Sequence, residues 1–464
     1  MRIKSEKGIF ILGLGISGLS LACFLSKIKK DIFCWDDNPK KRENASKKKI
    51  KLKSIEDVDF SKIDFLVISP IINHRISEPH IAIKKANLEK VKIVTDLEFI
   101  KILELNNFLI GITGTNGKST TTKFIEQSLS IISPGKSISF GNIGIPFADA
   151  IQQLKKETTL IVEASSFQLD KIDKLTFNIA VLLNISNDHI EWHENIDNYI
   201  KAKLKIFKNQ NKDCYSIICI DDPHSKKIAD NFKKIFKSKL IKISTKRILE
   251  DGISIKKENN KLKIINNISS EVFFIPMNLL NFTIAEHNFQ NLLATYSVMF
   301  LLNKSQKQFI SSLNNLKNLE HRIEFSGSLK NICFYNDSKS TNINSAKTAI
   351  NAFENIYWIL GGRKKSGGLS EIKNKFKNVL KCYVYGETRE EFNNFLRKKS
   401  FNSRSFEDLQ KALDEAINDA LDEKKNINIL FSPACSSYDQ FLNFEDRGRS
   451  FKNLVKKRIN NVQN

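Results

Sequence analysis

The chain contains no C-x-x-C pair. Its seven cysteines, at 23, 34, 214, 219, 333, 382 and 435, stand apart and mostly in apolar or strand-like contexts. That pattern argues against a disulfide framework and for reduced thiols in a cytosolic protein. Long apolar runs are also scarce. One stretch, Gly8–Ser26, carries no charge and follows Arg2, Lys4 and Lys7, so it imitates a signal peptide or a short membrane span. It has no clear cleavage site before Lys27, and Gly13, Gly15, Gly18, Ser17 and Ser20 interrupt it. No other stretch is long and apolar enough to span a bilayer, so no membrane span is expected. RNP, zinc-finger and helix-turn-helix signatures are missing as well. Acid is the minority charge: 51 Asp+Glu against 74 Lys+Arg, a formal +23. The lysines are scattered, and their densest run, Lys40–Lys53, reads as a solvated loop and helix face. A positive field permits binding to nucleic acid or an anionic membrane, and it suits a small, highly anionic substrate equally well. No nucleic-acid partner is expected.

What is present is ordinary in bulk and informative in detail. At 464 residues, with 41% hydrophobic and 27% charged content, the chain is long enough for about three domains with well-buried cores. Residues 108–124 read FLIGITGTNGKSTTTKF. A short apolar strand ends in a glycine-rich turn, and a helix starts at once. That geometry aims backbone N–H groups and the positive end of a helix dipole at one point, which suits a phosphate. Lys118 supplies a mobile cation for the β/γ-phosphates and Ser119 a hydroxyl for Mg²⁺. The strict Walker A pattern would need glycine where Ile112 stands.

Near the N-terminus, a strand (Ile9–Leu12) meets G-x-G-x-x-G at Gly13, Gly15 and Gly18. A helix follows, then a second strand ending at Asp36-Asp37. The interval from glycines to acid, roughly twenty residues, is a Rossmann-type fingerprint, and taken alone it suggests NAD or FAD. A third strand, Asp64–Ser69, ends at Ser69-Pro70.

From about 99 to 317 apolar strands alternate with helical stretches, which predicts a mostly parallel, doubly wound sheet. Buried strands end in Glu163, and in Asn187, Asp188 and His189, and an amphipathic helix at 199–207 bears Lys203. Singly these read equally well as a helix cap, a loop histidine and a surface lysine. Together, at the carboxyl ends of successive strands beside a phosphate loop, they stand where ligands bind. Beyond 318, strands at 332–335, 356–360, 382–385 and 427–431 alternate with helices in a second Rossmann-like unit. The expected fold is α/β in three domains: 1–98 Rossmann-like, 99–317 a P-loop mononucleotide-binding parallel sheet, and 318–464 Rossmann-like.

TGTNGKST in this setting resembles the ATP loop of the Mur ligases, the amide-forming enzymes of peptidoglycan precursor synthesis. GNIGIP (141–146), IVEASSFQLD (161–170), AEHNFQNLLAT (285–295), LEHRIEF (319–325), NDSKSTN (336–342) and SPACSSYDQFLNF (432–444) follow in the family's order across essentially the full chain. The last resembles the signature of the branch that adds D-glutamate.

The resemblance implies an ATP-dependent carboxylate–amine ligase in the cytoplasm, expected to be a monomer. ATP, two Mg²⁺ ions, UDP-N-acetylmuramoyl-L-alanine and D-glutamate would be its ligands. It implies ATP contacts from Gly114, Thr115, Asn116, Gly117, Lys118, Ser119, Thr120, Asn288, Arg322 and Asp337. It implies metal ligation by Ser119, Glu163 and His189, with a CO₂-derived carbamate on Lys203. The N-terminal glycine loop would hold the diphosphate of a UDP-sugar instead of a dinucleotide. Ile16, Ser17, Asp36, Asp37, Ser69, Asn142, Ser165 and Gln168 would line that site. D-glutamate would meet Lys339, Thr341, Lys365, Ser437 and Phe444. Two departures from the family stand out: Ile71 in place of a glycine after Ser-Pro, and Arg363-Lys364 before Lys365. The clefts between domains are expected to close on binding. Three other readings remain. A sister ligase would add another amino acid. A nicotinamide-dependent oxidoreductase would use Gly13, Gly15 and Gly18. A basic P-loop protein would act on nucleic acid.

Overall fold

A computed structural model of the protein describes residues 3, 7–28, 31–142, 144–280, 286–314, 316, 320–364 and 367–463. Three sheets are strung along the chain. The first holds β1 (Gly8–Leu12), β2 (Ile32–Trp35), β3 (Ile63–Ile68) and β4 (Lys92–Val94), all parallel in the order β2-β1-β3-β4. The chain goes from β1 to one side and then returns to the other, so the turn after β1 sits at a topological switch point.

The second sheet has nine strands: β5 (Leu109–Thr113), β6 (Ser137–Gly141), β7 (Thr159–Glu163), β8 (Ile179–Leu182), β9 (Tyr215–Cys219), β10 (Lys239–Ser244), β11 (Gly252–Glu258), β12 (Lys261–Asn266) and β13 (Glu271–Pro276). Their order is β13-β12-β11-β10-β9-β8-β5-β7-β6. Pairing is parallel from β6 to β11 and antiparallel for β11-β12-β13. The antiparallel end escapes a reading based on helix-strand alternation, because β11 to β13 follow one another without helices. β5 lies among the parallel strands with β7 on one side and β8 on the other, which again makes its carboxyl end a switch point.

The third sheet runs β14-β15-β19-β16-β17-β18, formed by β14 (Glu324–Leu329), β15 (Ile332–Asn336), β16 (Ile356–Gly361), β17 (Val379–Tyr385), β18 (Ser403–Phe406) and β19 (Ile427–Phe431). Only β14 is antiparallel to its neighbour. The α/β class with three largely parallel sheets is as expected.

The chain groups into two compact units, one of Met1–Asn281 with Asn288–Leu316, the other of Phe282–His287 with Lys317–Asn464. The first two sheets therefore share a unit, and they share a core. Ile9, Ile11, Leu21 and Leu25 from the N-terminal sheet and helix pack in one cluster with Phe140, Phe147 and Ile151. This explains the uncharged stretch at 8–26. The helix Ile16–Ile28 buries Leu19, Leu21, Ala22, Phe24 and Leu25, so it is covered on more than one side. Among the described residues no helix is long and apolar enough to cross a membrane.

Candidate functional site

The phosphate loop is built as its sequence requires. β5 ends at Thr113, and the helix Lys118–Ile132 starts after Gly117, which has φ +85°. A Cβ at Gly117 would lie 2.4 Å from the Asn291 Oδ1 atom, so glycine is needed for the angle and for the space. Asn291 itself is buried, donates to Asn288 Oδ1 at 3.0 Å and accepts from Thr121 Oγ1 at 3.1 Å. The loop's other flank is clamped by Asn184, whose carbonyl accepts Thr115 N–H and whose Oδ1 accepts Asn116 N–H, both at 2.8 Å. Gln290 in turn holds the Asn184 amide at 2.7 Å.

Two lysines converge on one carbonyl. Lys118 Nζ donates to Gly114 O at 2.8 Å and to Thr115 O at 2.7 Å, and Lys203 Nζ donates to Gly114 O at 2.8 Å. Lys203 is 1% exposed and sits 4.5 Å over the Tyr199 ring. Burial, reinforced by the nearby Lys118 charge and only partly offset by Asp188 and Glu163, holds its ammonium well below the usual lysine range.

Glu163, at the end of β7, is 1% exposed. Its Oε1 accepts from Asn142 Nδ2 at 3.1 Å, while Oε2 is buried with no hydrogen-bond partner among the described residues. An orphaned carboxylate oxygen beside a phosphate loop has the chemistry of a hard-cation ligand. His189 follows β8. Its ring lies against Phe167 (4.8 Å between centroids) and 3.5 Å from the Asp188 carboxylate. No cluster of three His, Cys, Asp or Glu suited to a metal occurs among the described residues. A cation held by Glu163 and His189 would therefore complete its shell from Ser119, phosphate oxygens and water.

His193, which sequence reading passed over, is fully buried. Its Nε2 is 3.0 Å from Ser166 Oγ, its ring stacks on Phe167, and burial pushes its pKa down to about 4. The i, i+4 spacing from His189 was the available signal.

At the N-terminal sheet, a cavity of about 150 Å³ is lined by Gly13, Gly15, Asp36, Asp37, Lys41, Ser69, Ile71, Ile72 and His80. Gly18 is indispensable to it, since a Cβ there would lie 2.0 Å from Gly13 O. Asp36 is buried and accepts Leu14 N–H at 2.7 Å and Asn38 N–H at 2.9 Å, which shapes the loop; Asp37 is exposed and pairs with His80 at 3.2 Å. Ile16 is 81% exposed at the start of the following helix, beside Ser17. Ile71 is exposed on the cavity rim, where no glycine conformation is demanded. Ser165 and Gln168 lie elsewhere, after β7. They form a capping box, with Ser165 N–H and Oγ–H both donating to Gln168 Oε1, and Gln168 Nε2 donates to Asp96 at 3.5 Å.

Next to them is Asp170. It receives Arg75 in a fork (Nε–Oδ2 2.9 Å, Nη2–Oδ1 2.7 Å), His74 at 3.1 Å and Lys205 at 3.1 Å. Burial works to raise its pKa, but the His74 and Arg75 hydrogen bonds and the Lys205 charge hold the carboxyl far below the usual range.

The second unit gathers most of the residues assigned to the amino acid. Lys339 Nζ is 5.2 Å from the centre of the Phe444 ring, and Ser338 Oγ donates to Phe444 O at 2.8 Å. Ser437 is buried in the turn after β19. Behind them, fully buried Arg447 donates to Ser338 O (2.7 Å), Ser338 Oγ (3.0 Å) and Cys435 O (3.0 Å). Thr341 precedes the helix Ile343–Ile350. Lys365 lies outside the described residues; Arg363 and Lys364 before it pair with Glu387 (2.9 Å) and Glu391 (2.7 Å) at the surface. Asp337 accepts Ser432 Oγ at 2.7 Å, and burial, moderated by that bond and by Arg322, pushes it up to about 6.

The chain is similar to known proteins over its full length. The Mur ligase middle domain model matches residues 112–299. A protein of Rickettsia bellii is 38% identical over 98% of this chain and 98% of its own length, and one of Rickettsia felis is 36% identical over 100% of both; each is named UDP-N-acetylmuramoylalanine--D-glutamate ligase. Among solved structures, the MurF ligase of Thermotoga maritima in complex with ADP is similar with a TM-score of 0.57, at 17% identity, over 85% of this chain and 90% of that one. On this full-length similarity, the chain belongs to the Mur ligase family.

Proposed function

We propose that this protein joins D-glutamate to the L-alanine carboxylate of UDP-N-acetylmuramoyl-L-alanine, using ATP and releasing ADP and phosphate. The observation that carries the reading is the convergence of Lys118 and Lys203 on Gly114 O beside the orphaned carboxylate oxygen of Glu163, in a chain whose full-length relatives bear that ligase name.

A carboxylate oxygen is a poor leaving group, so the substrate is activated first. It attacks the γ-phosphorus of ATP, ADP leaves, and an acyl phosphate forms. The amine of D-glutamate attacks the acyl carbon, the C–O bond breaks and inorganic phosphate departs with the amide made. Such a transfer depends on positioning and charge neutralisation. With Thr115 and Asn116 N–H held by Asn184, the backbone N–H groups of Gly117 to Thr120 at the helix start cradle the phosphates, and Lys118 swings from the loop carbonyls onto the β/γ oxygens. Arg322 adds a bidentate cation, Asp337 adds a further ATP contact, and Asn288 faces the base. Ser119, Glu163 and His189 would hold Mg²⁺, which would supply neutralisation of phosphate charge when bound. Lys203 is suited to carbamylation because its buried amine is readily neutral, and only a neutral amine attacks CO₂. The product carbamate would set an anion beside the Lys118 ammonium.

In this reading 1–98 takes the UDP moiety through Ile16, Ser17, Asp36, Asp37 and Ser69, and 99–317 takes ATP. The 318–464 region takes D-glutamate through Lys339, Thr341, Lys365, Ser437 and Phe444. Asn142, Ser165 and Gln168 brace the muramoyl end. The enzyme acts as a cytoplasmic monomer. The test is phosphate release from ATP with UDP-N-acetylmuramoyl-L-alanine, adding D-Glu, L-Ala, L-Lys and meso-diaminopimelate in turn. Release with D-Glu alone is expected. Release with a different amino acid would overturn the pocket, and release with none would overturn the activity.

A further inference from the structure

The substrate cavity of the N-terminal sheet is walled on one side by the segment that leaves β3. Ser69, Ile71 and Ile72 line it, and Ile72 N–H closes a turn on Ser69 O at 2.9 Å. What fixes the far end of that segment is a set of contacts to the second sheet. Asn73 Nδ2 donates to Trp192 O at 3.3 Å, and Asn73 Oδ1 accepts Arg75 N–H at 2.9 Å. His74 and Arg75 both end on Asp170, whose side chain is almost fully buried.

Asp170 follows the short helix Ser166–Leu169 at the end of β7, and so belongs to the same turn as Glu163 and Ser165. Its third partner, Lys205, comes two residues after Lys203, and also donates to the Asp170 carbonyl. One carboxylate therefore joins three segments: the wall of the sugar-nucleotide cavity, the turn after β7, and the stretch bearing the buried lysine. The shared apolar core already joins the two sheets, so an ionic cluster is not required for that task. Its distinctive property is direction. A bidentate Arg–carboxylate pair fixes orientation as well as distance.

We propose that Asp170, with Arg75, is a positioning pair for the UDP-sugar substrate, holding the 69–76 segment in register with the phosphate-transfer site. This rests on the function proposed above. Asp170 touches no reacting atom and acts through Arg75 and His74.

The test uses the full-length enzyme, with Asp170→Asn, Arg75→Gln and the double variant. Steady-state KM is measured for each substrate, with equilibrium binding of UDP-N-acetylmuramoyl-L-alanine by calorimetry. Asp170→Asn keeps the shape and loses the charge; Arg75→Gln alters a partly exposed residue and guards against a folding failure. Each single variant should raise KM and Kd for the UDP-sugar by ~10-fold or more, on the scale expected when reacting groups are slightly misplaced, with KM for ATP within about twofold. The double variant should match the singles, because both act through one pair. A Kd for the UDP-sugar unchanged in folded variants would overturn the proposal. So would additive effects, or equal losses for all three substrates, which mark a merely structural role. Wild-type protein that binds the UDP-sugar without turnover would sink the proposed activity and leave the binding comparison to judge the pair. Wild-type protein that does not bind it would sink both.

Discussion

Lys203 shows how burial changes the chemistry of a single group. A lysine inside a protein, over an aromatic ring and next to another ammonium, would ordinarily be a liability. Here it is the basis of a prediction. Lys203→Ala should lower kcat by about 10²-fold or more, the scale for losing one preorganised charged group. Short carboxylates added to the assay should restore part of the rate, and no restoration would remove the carbamate role. Asp96 gives a second prediction, about stability. It is fully buried beside Gln168, with Oδ2 lacking a partner among the described residues, and burial pushes its pKa up to about 6. The folded value lies above the ordinary 3.8, so between roughly pH 4 and 6 the folded chain keeps a proton that the unfolded chain has lost. The stabilisation is therefore complete at low pH and lost as pH rises through 6. Asp96→Asn should raise the unfolding free energy near pH 7.5, by about 3 kcal/mol at most, and give little gain near pH 4. Denaturant melts at the two pH values check the sign.

At the scale of elements, the C-terminal helix Phe444–Gln463 is more than a terminal cover. Through Arg447 it ties the turn carrying Ser338 and Lys339 to the turn carrying Cys435 and Ser437. Arg447→Ala would leave buried carbonyls unpaired and should destabilise the second unit by about 3 kcal/mol. In the surviving folded enzyme it should raise KM for D-glutamate while KM for ATP stays near its wild-type value. Equal changes for both substrates would show that the helix does not organise the pocket. Arg447 also marks the limit of what sequence reveals. The strand-turn-helix segments around Gly13–Gly18 and Gly114–Lys118 were legible because glycine spacing and apolar runs are local properties. Glu163 and Lys203 were legible as candidates from their place beside the phosphate loop, and their roles only through resemblance. The partners that shape those sites, Asn184, Asn291, Gln290, His193 and Arg447, come from distant segments. A buried arginine and a surface arginine look alike in a charged helix. The antiparallel pairing of β11 to β13 lay outside a helix-strand reading because short hairpin turns, not helices, join those strands.

For the molecule as a whole, three sheets do not mean three independent folding units. One face of the N-terminal sheet has its own core, with Phe10, Leu12, Ile55, Phe60, Leu66 and Ile83. The other face, with the helix Ile16–Ile28, is completed by Phe140, Phe147 and Ile151 of the second sheet's layer, and Ser20 Oγ donates to Asp149 at 2.7 Å across the same contact. A chain cut after residue 98 would expose the outer side of a helix that has no charge before Lys27. Apolar surface of that kind carries roughly 25 cal/mol per Å² of lost stabilisation, a serious deficit for a fragment of such length. The fragment 1–98 should therefore unfold without a cooperative transition, or associate through that face. The fragment 1–316 retains both sheets and the shared core, and should show a single cooperative thermal transition by circular dichroism. A cooperative, monomeric 1–98 would show that the N-terminal sheet is energetically separate, and would restore rigid-body closure between the first two sheets as a mechanism. A non-cooperative 1–98 would leave small adjustments of surface segments, such as 69–76, as the way this half of the enzyme responds to substrate.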